Sequence, residues 1–331
     1  MNLLLVPFPY QIDGGCIVND QSVTNQGPPH FFSLRQNWLT ASGKKLKPTD
    51  LATFLAQLVR EAERQVHRVH AVVLPETAVD GKEVEEVAKL VATKTNIELF
   101  ISGTYIQPTA SEAAKNQIYA AIYRDRQFLT HWVQPKHHRW RLDGEQICRY
   151  HLGDYLNPKE IWWESIGLPP RTCTFYAFTD GASLATLVCE DLARIDPAQV
   201  ALRAVGPNLV IVLLMDGPQI ETRWPARYAT VLADDPGSAV LTLTSAGMIR
   251  RSVMPGEHLP DQIALWKDPF GRVQELKLPK NAHALVITLS KSWEEDFVWD
   301  GRSDGETTVR LRLSGVREVY HRKPPHWIPN V

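Results

Sequence analysis

Residues 186–195 read TLVCEDLARI, and this stretch decides how the rest of the chain is read. The apolar run 185–188 has the length and composition of a buried strand, and it ends in Cys189. Glu190 and Asp191 follow at once. Acidic residues in a first turn favour the helix dipole, so the spacing predicts a strand, a sharp turn and a helix. A thiol at such a turn stands at the tip of a sheet. The N–H groups that open the helix lack internal acceptors and can hold a negative charge. A nucleophile beside an oxyanion hole needs those parts. A buried core cysteine is the competing reading, since free cysteine is among the most buried residue types.

Two other apolar strands end in residues of matching chemistry. HAVVLPETA (70–78) runs into Glu76, and HWVQPKHH (131–138) runs into Lys136. In open α/β proteins, site residues stand at the carboxyl ends of strands. A carboxylate near a thiol can take its proton, and an ammonium can hold the oxyanion that attack produces. Each residue alone would pass for a solvated loop charge; the conjunction is what points to chemistry.

Outward from these points, apolar runs at 3–9, 71–74, 99–107, 183–188, 208–215, 238–244, 263–266 and 284–289 read as strands. Residues 116–124 and 127–133 read as a hairpin across Asp125-Arg126, and 175–178 pairs with 183–188 across Asp180-Gly181. Apolar residues recur at helical spacing over 46–64 (with Thr49 or Asp50 as cap), 84–94, 197–205 and 224–234. Residues 13–29 read as loop, and 134–156 follow no period. Alternating strands and helices, with several continuous apolar strands, predict sheets covered by helices in an α/β layered fold. No Gly/Ser-rich or Pro-rich linker divides the chain. Residues 1–290 are expected to form one domain, and 291–331 a C-terminal strand and an extended tail, HRKPPHWIP, laid on a partner subunit.

The 331 residues carry a formal charge of -1, so neither a basic nor an acidic excess points to nucleic acid or a basic partner. Cys16, Cys148, Cys173 and Cys189 lie far apart, which suits a reducing compartment better than a disulfide or zinc framework. The histidines at 131, 137, 138 and 151 match no zinc spacing, so no metal is expected. The N-terminus lacks a basic n-region and a cleavage site, and no apolar run approaches the roughly 18 residues of a membrane span. A cytoplasmic protein with no membrane partner is expected. Phosphate-cradling glycine patterns are absent, and no cofactor is expected.

LPETA, QPKHH and LVCEDLAR, in this order, resemble the nitrilase (carbon–nitrogen hydrolase) superfamily, whose catalytic set is Glu, Lys and Cys. DPFGRV (268–273) resembles its aspartate-proline-glycine turn. The Cys-Glu-Asp form resembles the glutaminase domains of NAD synthetases, and the Gly-Glu after the lysine resembles the apolipoprotein N-acyltransferases. The resemblance implies an α-β-β-α sandwich and a homodimer or larger homo-oligomer. It implies a small amide-type substrate, amide or carbamoyl, cleaved through a Cys189 thioester. Glu76 would be the base, and Lys136 with the backbone N–H of Glu190 would hold the oxyanion. Many family members carry a second glutamate shortly after the lysine, and Glu145 in DGEQ is the candidate. Trp140, Trp162, Trp163 and His137 are candidates for a substrate pocket, against the plainer reading of aromatics as packing. The lysine segment, Pro135-Lys136-His137-His138, departs from the commoner aromatic-x-lysine pattern and leaves the substrate open. A non-catalytic scaffold on the same fold, or an acyl-transferring or glutaminase activity that feeds a partner, stands as the alternative.

Overall fold

The computed structural model describes residues 1–20, 28–178, 181–295 and 307–329. Among them, two large sheets stack face to face. The larger has seven strands in the order Thr307–Val319, Ala284–Glu295, Asn2–Leu5, Ala71–Asp80, Leu99–Ile106, Lys115–Arg124, Gln127–Pro135. The smaller has six, in the order Phe175–Ala177, Ser183–Val188, Leu209–Leu214, Ala239–Thr244, Gln262–Lys267, Val273–Lys277. The central strands of both sheets pair in parallel and the outer ones antiparallel.

The two-residue period of a strand sorts the larger sheet's side chains between two cores. Leu3, Leu5, Val73, Ile101 and Ile118 face the smaller sheet. Leu4, Val6, Val72, Leu74 and Phe100 face the opposite way, onto the helices Pro48–Ala62 and Val84–Lys94. The first helix starts ahead of its expected cap: Pro48 occupies its first turn, where a missing N–H costs nothing, and Asp50 accepts the Lys47 N–H at 3.1 Å. On the outer face of the smaller sheet, Leu202 of Val200–Val205 and Ala229 and Leu232 of Trp224–Asp234 bury against Leu209–Leu214 and its neighbours. The layers are therefore helix, sheet, sheet, helix, as the resemblance implied.

A third sheet was not legible in the sequence. Its four strands, Arg141–Leu142, Trp162–Glu164, His30–Leu34 and Ile17–Asn19, come from segments read as loop or left without assignment. Each is short, and its partners are distant in sequence, so local periodicity carries little of its signal. The Asp180-Gly181 turn lies partly outside the described residues, as does much of the loop over 13–29.

The C-terminal segment completes the larger sheet. Thr307–Val319 extends the larger sheet as its edge, and the Pro-rich tail beyond it lies on its own chain. Trp327 meets the Phe8 and Phe54 rings edge-on at 6.2 and 5.5 Å, and Ile328 is buried in the same cluster. Trp327 is partly covered and Ile328 fully covered by the outer face of the fold itself. No helix among the described residues is long and apolar enough to cross a membrane.

Candidate active site

Glu76, Lys136 and Cys189 converge where the two sheets' strands end, and their residues are 2%, 1% and 4% exposed. Each position is set by a local break in regular structure. The strand Ala71–Asp80 slips register between Leu74 and Val79, and Thr77 takes a positive φ of 56°. That bulge turns Glu76 out of the ladder and into the site. Across from it, Gly103 of the neighbouring strand leaves room: a Cβ there would lie 2.3 Å from Glu76 Cα and 2.4 Å from the Pro75 carbonyl oxygen. Only glycine permits so close a backbone approach. Gly103→Ala should therefore displace Glu76, lowering kcat at least tenfold and stability by about 3 kcal/mol. Activity assays and urea unfolding measure both, and a wild-type-like variant would refute the contact.

Lys136 follows the strand Gln127–Pro135, and its N–H continues the ladder to Asn116 O at 2.9 Å. Cys189 opens a five-residue 3₁₀ turn, Cys189–Ala193, at φ 44°. A non-glycine residue in that region is strained, and such strain is characteristic of a nucleophile held on a strand-to-turn elbow. The regular helix expected to start here begins later, at Val200, because Arg194 is extended and Pro197 interrupts the path.

The charged groups form one buried network. Lys136 Nζ donates to Glu76 Oε1 at 2.9 Å and to Glu164 Oε2 at 2.7 Å. Asn116 Nδ2 lies 2.8 Å from both Glu76 Oε1 and Glu164 Oε1. Glu164 Oε2 also accepts the Trp140 N–H at 3.1 Å. Asp191 joins two of the breaks, since its carboxylate accepts the His137 N–H at 3.0 Å and lies 2.9 Å from His138 Nδ1. It thereby ties the turn that Cys189 opens to the segment that follows Lys136.

Burial works against the Lys136 charge, but Glu164 and then Glu76 outweigh it and hold the ammonium well above the usual lysine range. Burial raises Glu76, with Glu164 acting in the same sense and Lys136 opposing. Burial and then Glu76 push the Cys189 thiol well above its ordinary value, and only Lys136 pulls the other way. The raised value favours the neutral form of this thiol. Glu76 Oε2 is buried and has no hydrogen-bond partner, which leaves one oxygen of the carboxylate open to a proton.

The structure does not bring Glu145 to this network. Glu145 is exposed in the first turn of the short helix Gly144–Arg149, whose cap is Asp143. The second carboxylate on Lys136 is Glu164, at the end of the three-residue strand Trp162–Glu164. Glu164→Gln is expected to lower kcat on the order of 10²-fold, by weakening the hold on Lys136. Glu145→Gln should stay within twofold of wild type; a comparable loss in both, measured side by side, would sink this assignment.

Trp140 and Trp162 are buried in the core beneath the small sheet, where Trp140 meets Phe32 and Tyr150 edge-on. Both are packed in that core, as the plainer reading of aromatics has it. Trp163 and His137 do border a cavity, although the His137 ring is fixed from behind by the Thr172 N–H on Nε2 at 3.3 Å. Glu164, Asn116 and Asp191 were missed by sequence reasoning. For Asp191, the signal was present in Cys-Glu-Asp but was read as a dipole effect.

Solved structures share this architecture. A Nesterenkonia amidase from the nitrilase superfamily matches with a TM-score of 0.51 at 13% identity, over 86% of this chain and 89% of its own. A second Nesterenkonia amidase structure gives 0.50 at 13% identity, over 97% and 90%. A Saccharomyces cerevisiae member of branch 10 of the superfamily gives 0.50 at 12% identity, over 84% and 86%. At these identities the likeness is one of fold. No protein-family model and no curated protein matches the sequence.

Proposed function

We propose that this chain, which has the fold of the nitrilase superfamily, is a thiol-dependent hydrolase of a non-peptide carbon–nitrogen bond in an amide or carbamoyl substrate. The observation that carries the reading is the unpartnered Glu76 Oε2, buried in a site where burial and Glu76 keep the Cys189 thiol protonated. A thiol so held gains its nucleophilicity only as it loses its proton, and Glu76 Oε2 is the base available to take it. Sulfur then attacks the carbonyl carbon. The developing oxyanion is held by Lys136 Nζ and by the Glu190 N–H, one of the N–H groups at the start of the turn that have no internal acceptor.

Collapse breaks the carbon–nitrogen bond, and Glu76 returns its proton to the leaving ammonia. Water, deprotonated by Glu76, then attacks the thioester, and the acid leaves as the thiol is restored. Glu164 acts through Lys136: it fixes the ammonium on its far side and keeps it charged. Splitting the reaction at the thioester replaces one difficult step with two easier ones.

An assembly of two copies is part of this reading. Ile195, Val200 and Val205 are exposed on the helical segment outside the smaller sheet and form the apolar surface that such a contact would cover, which light scattering of the purified protein measures. The catalytic reading is tested by ammonia release from a panel of primary amides and carbamoyl compounds. Iodoacetamide labelling of the native protein and of Glu76→Gln accompanies it. Cys148 is exposed and labels as an ordinary thiol; labelling of the buried Cys189 that exceeds that of the buried Cys16 and is altered by the Glu76 change is expected. No ammonia from any substrate, with Cys189 labelled no faster than Cys16, would refute the reading.

A further inference from the structure

A cavity of about 490 Å³ borders the short helix Ala246–Arg251, within the size range of small-molecule pockets. Glu76, Lys136, Glu164 and Cys189 take no part in its lining, so it is a second place on the molecule and not an arm of the catalytic network. Its apolar wall is pre-formed. Ile249, Ile263 and Leu278 line it and are also buried in the core between the two sheets. The Leu278 N–H donates to Asp261 O at 2.7 Å, and the Ala282 N–H to Pro279 O at 3.0 Å, which fixes the rim.

The polar lining is cationic on balance. Arg250 and Lys280 supply two positive charges, and Asp261 supplies one negative charge that forms no ion pair with any described residue. Arg250 is the decisive group. The neighbouring Arg251 spends its guanidinium on backbone carbonyls, with Nε 3.0 Å from Tyr150 O and NH2 2.6 Å from Tyr150 O and 2.8 Å from His151 O. The Arg250 guanidinium is half-buried and makes no hydrogen bond or ion pair with any described residue. Burial pushes its pKa down, and no neighbouring carboxylate restores it. A guanidinium presents five N–H donors in a rigid fork that matches a carboxylate, and one that has lost water without gaining an acceptor lacks its counterpart.

We infer that this cavity binds a small amphipathic carboxylate, its charged end held by Arg250 with support from Lys280 and its apolar body against Ile249, Ile263 and Leu278. Asp261 sets the charge of the ligand: a carboxylate in the same lining repels a second negative charge, so a monoanion fits and a phosphate dianion does not. The inference is independent of the hydrolase reading, because no catalytic group enters it. A charge-assisted fork is worth about 10- to 100-fold in affinity.

The test is calorimetric titration of the full chain with 4-phenylbutyrate and with 4-phenylbutan-1-ol, which keeps the apolar body and loses the charge. Neither probe has a carbon–nitrogen bond, so neither is a substrate under the hydrolase reading. The acid should bind saturably at one site per chain, with a Kd on the order of 0.1 mM for a ligand of this size. The alcohol should bind at least about 10-fold more weakly, as should the acid to Arg250→Gln. Lys280→Gln, at an exposed position, should weaken the acid by only about two- to fivefold. Phenyl phosphate, a dianion at pH 8, should bind more weakly than the acid. No saturable binding of the acid, equal binding of acid and alcohol, or an Arg250→Gln variant that binds the acid like the wild type overturns the inference. If Arg250→Gln alters the circular dichroism spectrum, the acid–alcohol comparison on the wild type and the Lys280→Gln titration decide the question: an acid preference that falls in Lys280→Gln upholds the site, and one that does not move overturns it.

Discussion

Cys189→Ala should abolish ammonia release, with kcat falling by about 10⁴- to 10⁶-fold, the range seen when a nucleophile that acts as one unit with its base is removed. The expectation follows from the geometry of the turn. Cys189 is nearly sealed from solvent, yet its backbone is held at φ 44°, a conformation that an L-residue adopts only against a penalty of roughly 1–2 kcal/mol. The strain is consistent with a side chain held at the sheet's edge among Glu76, Lys136 and Glu190, all of which act on its charge. A second variant separates strain from chemistry. Cys189→Gly removes the Cβ that makes this φ costly, so it should melt above Cys189→Ala while remaining equally inactive. Thermal melts and an ammonia assay on the two proteins suffice. Retention of a tenth of the wild-type rate in either variant would remove Cys189 from the mechanism.

How much of this was legible depends on where each residue's position is decided. Cys189 follows the apolar strand Ser183–Val188, Lys136 follows Gln127–Pro135, and Glu76 follows the apolar run 71–74 at the bulge, so each position is announced by the run before it. The layered fold follows from the same runs, since a continuous apolar strand must be covered on both faces. Glu164 is different. Its strand has three residues and exists only through its pairing with His30–Leu34 and Arg141–Leu142, so no local period marks it. Trp162 and Trp163 drew attention as aromatics, while the carboxylate beside them went unread. Glu145 was chosen for its closeness to Lys136 along the chain, but the Asp143 cap turns that segment into a helix that carries Glu145 outward. The packing of Trp327 and Ile328 was illegible for a related reason. Their Pro-rich setting suggests exposure, and only the assembled sheet and first helix provide the surface that buries them.

Lys136→Met should produce a comparably large effect in two independent readouts. The methionine keeps much of the volume and loses the charge. Removing an oxyanion donor costs about 10²–10³ in kcat, and Glu76 loses the partner that orients it. The stability effect has a different origin. Glu76 and Glu164 are both buried and both bonded to Asn116 Nδ2, with Lys136 the ammonium between them. Breaking a buried ion pair by removing one partner costs about 3–5 kcal/mol, because the charge left behind is neither solvated nor compensated. Here two such charges remain.

The pH dependence follows in sign. Without the ammonium, a buried carboxylate's folded pKa rises above its unfolded value, so the folded variant binds a proton more tightly than the unfolded chain. The variant's deficit should therefore shrink as the pH falls from 7 towards 5 and be largest at neutral pH. Adding Glu164→Gln removes one uncompensated charge outright. The double variant should then be more stable than Lys136→Met alone at pH 7, a non-additivity expected only of residues in one network. Urea unfolding of the wild type and of the single and double variants at pH 5 and pH 7 resolves these differences. If Lys136→Met matched the wild type at pH 7, the three charges could not be the coupled unit on which both the proposed chemistry and the local stability depend.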